Sequence, residues 1–351
     1  MKTVIEKLTT DLNRQDQQII QKAGNIIREG GLVAFPTETV YGLGADGLNP
    51  SASRKIYEAK GRPSDNPLIL HISCMEDLAK IAANIPPKAS KMAKHFWPGP
   101  LTMIFQKSGM VPLETTGGLD TVAVRMPSHP VALALIQAGG GYIAAPSANT
   151  SGKPSPTMAE HVALDLDGRI PMILDGGAVG IGIESTIVDF SEEIPTILRP
   201  GYISQEMIYE VIGEIQLDPG LETENSGISP KAPGMKYKHY APQGELVLVN
   251  GAQEKVQEKI NYLVKEAELS GKVAGVIGTD ESVDGYHCGI VKSIGTRQDE
   301  ETIARHLYAI LREFDSQNVE VIYSESFLTP KMGRAIMNRL LKAAGHQVIE
   351  V

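Results

Sequence analysis

FPTETVYGLGADG, residues 35–47, follows a short apolar run, GLVAF, that reads as a strand, and it contains G-x-G-x-x-G at Gly42, Gly44 and Gly47. In a dinucleotide-binding fold such glycines turn a strand directly into a helix whose N-terminus holds a pyrophosphate. These glycines open no helix. The better helix start is Asn49-Pro50, with Asn as N-cap and Pro at the first helical position, leading into SASRKIYEAK. Polar PTET, residues 36–39, stands between strand and glycines, where the fingerprint has no insert. This context disfavours the dinucleotide reading, and PTET needs another explanation.

Upstream, Ile19, Ile20, Ala23, Ile26 and Ile27 share one helical face over residues 13–29, and Gly30-Gly31 ends that helix before the strand LVAF. Downstream, the pattern predicts a strand through Leu68 to Ile72, a helix over about residues 75–83, another ending in SKMAKHFWPGP, and a strand in LTMIF. Strand signals recur in TVAVRMP, GYIAAPSAN, MILDGG, ESTIVDF and PTILRPG. Many strands separated by fewer helices predict an α/β domain with a mixed, twisted sheet, expected over residues 1–215. Residues 216–243 carry glycine and proline throughout and read as a linker. The segment is long for a simple connection, and Lys231, Met235, Lys236, Tyr237, Lys238, His239 and Tyr240 cluster in it, as in lids and binding loops. From 244 to 351, ELVLV, KVAGVIG and VEVIYS alternate with helical patterns, which predicts a smaller Rossmann-like α/β domain without a glycine fingerprint.

The 351-residue chain is long for a single core, so two domains are the expectation. Its net charge of −9 argues against a broad nucleic-acid-binding face, and any anionic ligand must meet a local basic pocket. Cys74 and Cys288 are far apart with no Cys/His cluster beside them, which disfavours a zinc site or a disulfide framework. The N-terminal stretch lacks the apolar core of a signal peptide, and no run approaches the ~18 apolar residues of a membrane span. A cytoplasmic protein is expected.

Cations are therefore the first residues to place. Lys60 and Arg62 close the Asn49 helix in KGRPSDN, Arg125 follows the strand VAVR, and Arg199 follows ILR; cations at strand ends can converge on one crevice. Lys60 is equally at home as a cap on a helix C-terminus. APSANTSGKPSP offers Ser147, Asn149, Ser151 and Ser155, and GIESTIVD offers Ser185 and Thr186; such residues either satisfy their own turns or bind a polar ligand. His71, in the apolar run LILHI, reads as a hydrogen-bonded core histidine or as a base. Glu38 and Asp46 are candidate acids, and Gly176, Gly177, Gly180 and Gly182 mark tight backbone. There is no P-loop, no G-x-S-x-G elbow, no H-E-x-x-H and no EF-hand loop. On residue types alone the reading ends at an α/β protein with an anion pocket.

In order, PTETVYGLG, KGRPSDNPLILH, PGPLT, VAVRMP, APSANTSG, ESTIVD and ILRPG resemble the YrdC-like domain of the L-threonylcarbamoyladenylate synthase family. PGMKYKHYAP followed by a small α/β domain is similar to the longer, two-domain form of that family, so the resemblance covers essentially the whole chain. It implies a nucleotidyltransferase that uses ATP, L-threonine and bicarbonate to make L-threonylcarbamoyl-AMP and diphosphate. That product is the activated donor for N6-threonylcarbamoyladenosine in tRNA. It also implies Mg²⁺ carried with ATP, a functional link to a tRNA threonylcarbamoyl-transferase complex, only indirect contact with tRNA, and no membrane.

By the same resemblance, Lys60, Arg62, Ser147 and Asn149 match a catalytic Lys-x-Arg and Ser-x-Asn signature. Thr39, His71, Arg125, Ala145 and Ser185 would surround threonine, with the Arg125 fork on its carboxylate. Arg62, Asn66, Thr121, Ser147, Ser155, Arg199 and Tyr240 would contact ATP, PTET would serve substrate binding, and the glycines would let backbone approach a small ligand. Two rivals stay in view: a YrdC-like enzyme that processes carbamoyl phosphate, and a non-catalytic RNA-binding module. The first carries acylphosphatase-like and zinc-finger segments that this chain lacks, and the net charge of −9 disfavours the second.

Overall fold

Asn13 shows how local chemistry starts the fold. Its side chain accepts from Gln15 N and Asp16 N, while the Asp16 carboxylate accepts from Asn13 N at 3.0 Å, a closed capping box that fixes the start of the helix Arg14–Arg28. Ile20, Ala23 and Ile27 on that helix bury against Val33, Phe35 and Leu174 of the sheet and Leu135 of the helix Pro130–Ala138. The structure is a computed structural model that describes residues 2–221, 239–327 and 332–351. Most of the expected linker, 222–238, lies outside the described residues.

The described residues form two units. The first is built on β1 (Val4–Lys7), β2 (Val33–Phe35), β3 (Gly42–Asp46), β4 (Ile69–His71), β5 (Leu101–Gln106), β6 (Thr121–Arg125), β7 (Ile143–Ala144), β8 (Met172–Asp175), β9 (Thr186–Asp189), β10 (Thr196–Arg199) and β11 (Gln216–Leu217). They join in one sheet of order β1-β8-β2-β3-β7-β4-β6-β5-β9-β10-β11. Parallel pairs (β4 with β6, β5 with β9) alternate with antiparallel ones (β5 with β6, β9 with β10), so the sheet is mixed, as the sequence predicts. The edge strand β1 was not anticipated: Val4 and Ile5 are exposed, so VIEK has no buried alternation to read.

In FPTETVYGLGADG, Gly42–Asp46 form a strand. Gly42, Gly44 and Gly47 lie in or next to β3, which runs antiparallel to β2 and β7. A Cβ on Gly44 would come within 2.8 Å of Ile143 and 2.9 Å of Phe35, and one on Gly47 within 2.1 Å of Leu70 Cδ2. The glycines thus make room for protein side chains, which corrects the expectation that a ligand needs that space. Asp46 accepts from Leu48 N at 3.0 Å, a turn role rather than an acid's.

One face of this sheet packs Leu70, Met103, Val122, Val124, Val188 and Ile197 into the main core. Successive side chains point to opposite faces, so Ile69, Ile104, Ala123, Ile187 and Leu198 form a separate, smaller cluster on the other face.

The second unit carries β12 (Glu245–Asn250), β13 (Ala274–Gly278), β14 (Ile290–Ser293), β15 (Val321–Glu325) and β16 (Val348–Glu350) in the order β14-β13-β15-β12-β16. All four pairings are parallel, and the helices Gln253–Leu269, Glu300–Ser316 and Gly333–Ala343 connect them, as a Rossmann-like domain requires. Val256, Ile260 and Val264 of the first helix pack on Val247, Val276 and Tyr323. Two short stretches from the first part of the sequence, Gly152–Ser155 and Ile181–Ile183, belong to this unit. Among the described residues no helix is long and apolar enough to cross a membrane.

Candidate active site

The alternation that builds the small cluster also builds the site. Thr121, Ala123 and Arg125 share a face of β6, while Val122 and Val124 face the main core. Register carries this face sideways: His71 pairs with Arg125, Thr102 with Arg125, Thr102 with Ile187, and Arg199 with Ile187 across a bulge. His71, Arg125, Thr102 and Arg199 therefore stand in a row, with Ser185 two residues before Ile187. Thr121 stands on the same face at the far end of β6, roughly 13 Å from Arg125 at ~3.3 Å per residue.

Hydrogen bonds tie the row together. Ser185 Oγ and Thr102 Oγ1 are 2.7 Å apart, and Arg199 donates to the Ser185 carbonyl at 3.0 Å and to Ser185 Oγ at 3.1 Å. Arg125 donates from Nη1 to Thr39 Oγ1 at 2.9 Å, and its Nη2 lies 2.6 Å from Glu38 Oε1. Thr39 Oγ1 is also 2.9 Å from Thr37 Oγ1, whose hydroxyl donates to the Val40 carbonyl at 2.6 Å. PTET is thus a buried polar loop wrapped on the Arg125 guanidinium. Ala145, buried, donates its N–H to the Ile69 carbonyl beside His71.

His71 is buried against Phe35, edge-to-face at 6.3 Å, and its Nδ1 is 3.1 Å from the Ile69 carbonyl. A carbonyl only accepts, so Nδ1 carries the proton and Nε2 is left as an acceptor. Burial first, then the Arg125 charge, push its pKa down to about 3. The ring is neutral at ordinary pH, which makes it a hydrogen-bonding group rather than a charged one.

A second cluster forms where the helix Pro50–Lys60 ends. Asn49 accepts from Ser51 N and Ala52 N at its start, and Gly61 in the left-handed region (φ 61°) closes it. That turn delivers Lys60 and Arg62, both buried. Lys60 Nζ donates to the Ser147 carbonyl at 2.5 Å and to the Asn149 carbonyl, so it is more than a helix cap. Ser147 Oγ donates to Asn149 Oδ1 at 2.6 Å. Arg62 donates to Asn66 Oδ1 at 2.6 Å and to the Asn66 and Pro67 carbonyls. Gly42 bridges Ser147, which joins this cluster to the PTET loop.

Ser155 and Tyr240 fall in the second unit. Ser155 is buried, and Arg312 donates twice, at 3.2 and 2.6 Å, to the carbonyl of Pro154 before it. Tyr240 has φ 66°, its ring stacks on Tyr308 at 5.4 Å, and the Arg339 guanidinium lies 6.0 Å from its centroid. The sequence reading missed Thr102 and left Glu38 without a role. The signal for Thr102 was present: it is a polar residue in an otherwise apolar strand, LTMIFQ.

A mixed α/β unit with this row, followed by a small parallel unit, defines a class that known proteins make specific. Residues 25–201 match the Sua5/YciO/YrdC family model, described as telomere recombination, and residues 203–345 match the model of the threonylcarbamoyl-AMP synthase C-terminal domain. The chain belongs to the threonylcarbamoyl-AMP synthase family in its long, two-domain form. It is 52% identical to the threonylcarbamoyl-AMP synthase of Bacillus subtilis over 97% of both chains. It is 50% identical to that of Pyrococcus abyssi over 96% of this chain and 97% of the other. The crystal structure of P. abyssi Sua5 complexed with L-threonine superposes with a TM-score of 0.93 at 48% identity, covering 99% of this chain and 100% of that one.

Proposed function

We propose that this protein condenses ATP, L-threonine and bicarbonate into L-threonylcarbamoyl-AMP with release of diphosphate, feeding the formation of N6-threonylcarbamoyladenosine in tRNA. The observation that carries the reading is His71 beside Arg125 on one sheet face, with Thr39 bonded to Arg125 and Ser185 to the neighbouring Thr102, in a chain superposing on a relative described as complexed with L-threonine. Arg125 would take the threonine carboxylate through its planar fork, His71 would offer Nε2 as an acceptor, and Ala145 would supply a wall without polar demand. Ser185, held by Arg199 and Thr102, would position the same substrate.

In adenylyl transfer the carbamate oxygen attacks the α-phosphorus and diphosphate leaves in line, so catalysis is positioning plus stabilisation of phosphate charge. Lys60 and Arg62 are the cations for that work, and their protein partners fix them before substrate arrives, which reduces reorganisation during reaction. Asn66, Thr121, Ser147 and Arg199 complete the proposed ATP contacts within the first unit. Among the described residues no group of three His, Cys, Asp or Glu side chains could hold a metal. Mg²⁺ would therefore ride mainly on phosphate oxygens, with Ser147 Oγ and Asn149 Oδ1 as protein oxygens. Its chemistry there would be neutralisation of phosphate charge.

The test is diphosphate release from ATP and bicarbonate with L-threonine, with L-serine and with no amino acid, following the nucleotide product by mass. Threonine-dependent release with a threonylcarbamoyl-AMP mass is expected. Release independent of any amino acid would refute the reading.

A further inference from the structure

Glu38 is the one carboxylate of the PTET loop, and its setting is unusual. Oε1 lies 2.6 Å from Arg125 Nη2, yet neither atom makes an aligned hydrogen bond, although both are buried. Oε2 accepts from Ser128 N at 3.2 Å. A carboxylate has about four acceptor positions, so Glu38 keeps capacity that the protein does not use. Buried polar atoms without a hydrogen bond call for an explanation, and an ion pair that is close but misaligned repays its desolvation poorly. The Glu38 side chain retains 14% exposure against 5% for Arg125, so it is the accessible end of the pair.

An α-amino acid is a zwitterion that carries its ammonium and carboxylate on one carbon. A site for it needs a fixed cation and a fixed anion side by side. Arg125 and Glu38 supply that dipole, and both are held: Arg125 by Thr39 Oγ1 and Glu38 by Ser128 N. We propose that Glu38 is a substrate-binding residue that accepts a hydrogen bond from the α-amino group of the amino-acid substrate. This rests on the reading that Arg125 takes the α-carboxylate. The carbamate nitrogen keeps one N–H, so the same oxygen serves the substrate before and after carboxylation. Glu38 then selects for a free amino group, while the Arg125 fork selects for a free carboxylate.

The experiment measures binding by calorimetry to the full chain and to Glu38→Gln, with three probes. These are L-threonine, 2,3-dihydroxybutanoate of matching configuration, in which hydroxyl replaces the amino group, and L-threoninamide, in which the carboxylate is masked. Loss of a charge-assisted hydrogen bond predicts that Glu38→Gln weakens L-threonine about tenfold or more while changing 2,3-dihydroxybutanoate by less than about twofold. Equal weakening of both probes would mean that Glu38 acts only by holding Arg125, and would overturn the proposal; so would no change in either. Glu38→Asp keeps the charge one methylene further back and is expected to retain part of the discrimination. It carries the same comparison if the Gln variant unfolds. Wild-type protein that binds L-threoninamide as tightly as L-threonine would defeat the Arg125 reading itself, an outcome read without any Glu38 variant.

Discussion

Replacing His71 with Gln separates the cost of burying an imidazole from every other titration in the molecule. In the folded chain its pKa is pushed from 6.5 down to about 3, first by burial and then by Arg125. In the unfolded chain the ring titrates near its ordinary value of about 6.5, so at mildly acid pH the unfolded state binds a proton that the folded state refuses. The sign follows: the stability tied to neutral His71 is complete above the unfolded value and is lost as pH falls toward the folded one. Between about pH 7 and about pH 5 this linkage removes about 2 kcal/mol of unfolding free energy. Gln does not titrate, and its amide N–H₂ can replace the bond from Nδ1 to the Ile69 carbonyl. Urea unfolding of wild type and His71→Gln across that range cancels the carboxylates common to both. The variant is expected to start less stable and to lose about 2 kcal/mol less on acidification. Parallel stability curves would refute the argument, because they would show that His71 accepts its proton in the folded state.

Two further outcomes follow from the geometry. Lys60→Ala is expected to lower kcat by about 10²–10³, and Lys60→Arg not to restore it, because a planar fork cannot place one charge between the Ser147 and Asn149 carbonyls. Threonine-dependent diphosphate release measures this, and a loss below about tenfold would assign Lys60 to structure. Gly47→Ala puts a Cβ 2.1 Å from Leu70 Cδ2 and 3.0 Å from Ala144 N, and such overpacking costs about 1–3 kcal/mol. A lowered urea midpoint at unchanged slope, with turnover per folded molecule retained, is expected; unchanged stability would show that the fingerprint-like glycines are not there for packing.

Much of this fold was legible because burial leaves periodic traces. Ile20, Ala23 and Ile27 announce the first helix, Asn49-Pro50 announces the second, and TVAVR encodes both faces of its strand in five residues. What stayed hidden depends on tertiary partners. Exposed β1 has no apolar alternation to read. The glycines of β3 look like a ligand motif until Phe35, Ile143 and Leu70 are seen filling the space beside them. For the site, residue identity came from motif order and arrangement from register. His71 and Thr102 each pair with Arg125, a fact about strand neighbours that one linear sequence does not state. Glu38 was visible as an acid but had no role until Arg125 was found beside it.

The electrostatics explain how an acidic chain can handle ATP. With a net charge of −9 the average surface repels a polyphosphate, so attraction must be local. Lys60, Arg62, Arg125 and Arg199 are all buried within one unit. Burying a cation is expensive, and such groups persist where hydrogen bonds hold them. Carbonyl oxygens do part of that holding: Ser147 and Asn149 for Lys60, Asn66 and Pro67 for Arg62, Ser185 for Arg199, Gly99 for Arg125. A carbonyl orients a cation without cancelling its formal charge, whereas a carboxylate does both. Arg125, the cation assigned to an amino acid, also has the Glu38 carboxylate at 2.6 Å. A zwitterion needs an anion beside the cation that takes its carboxylate, and Arg125 with Glu38 offers that pair.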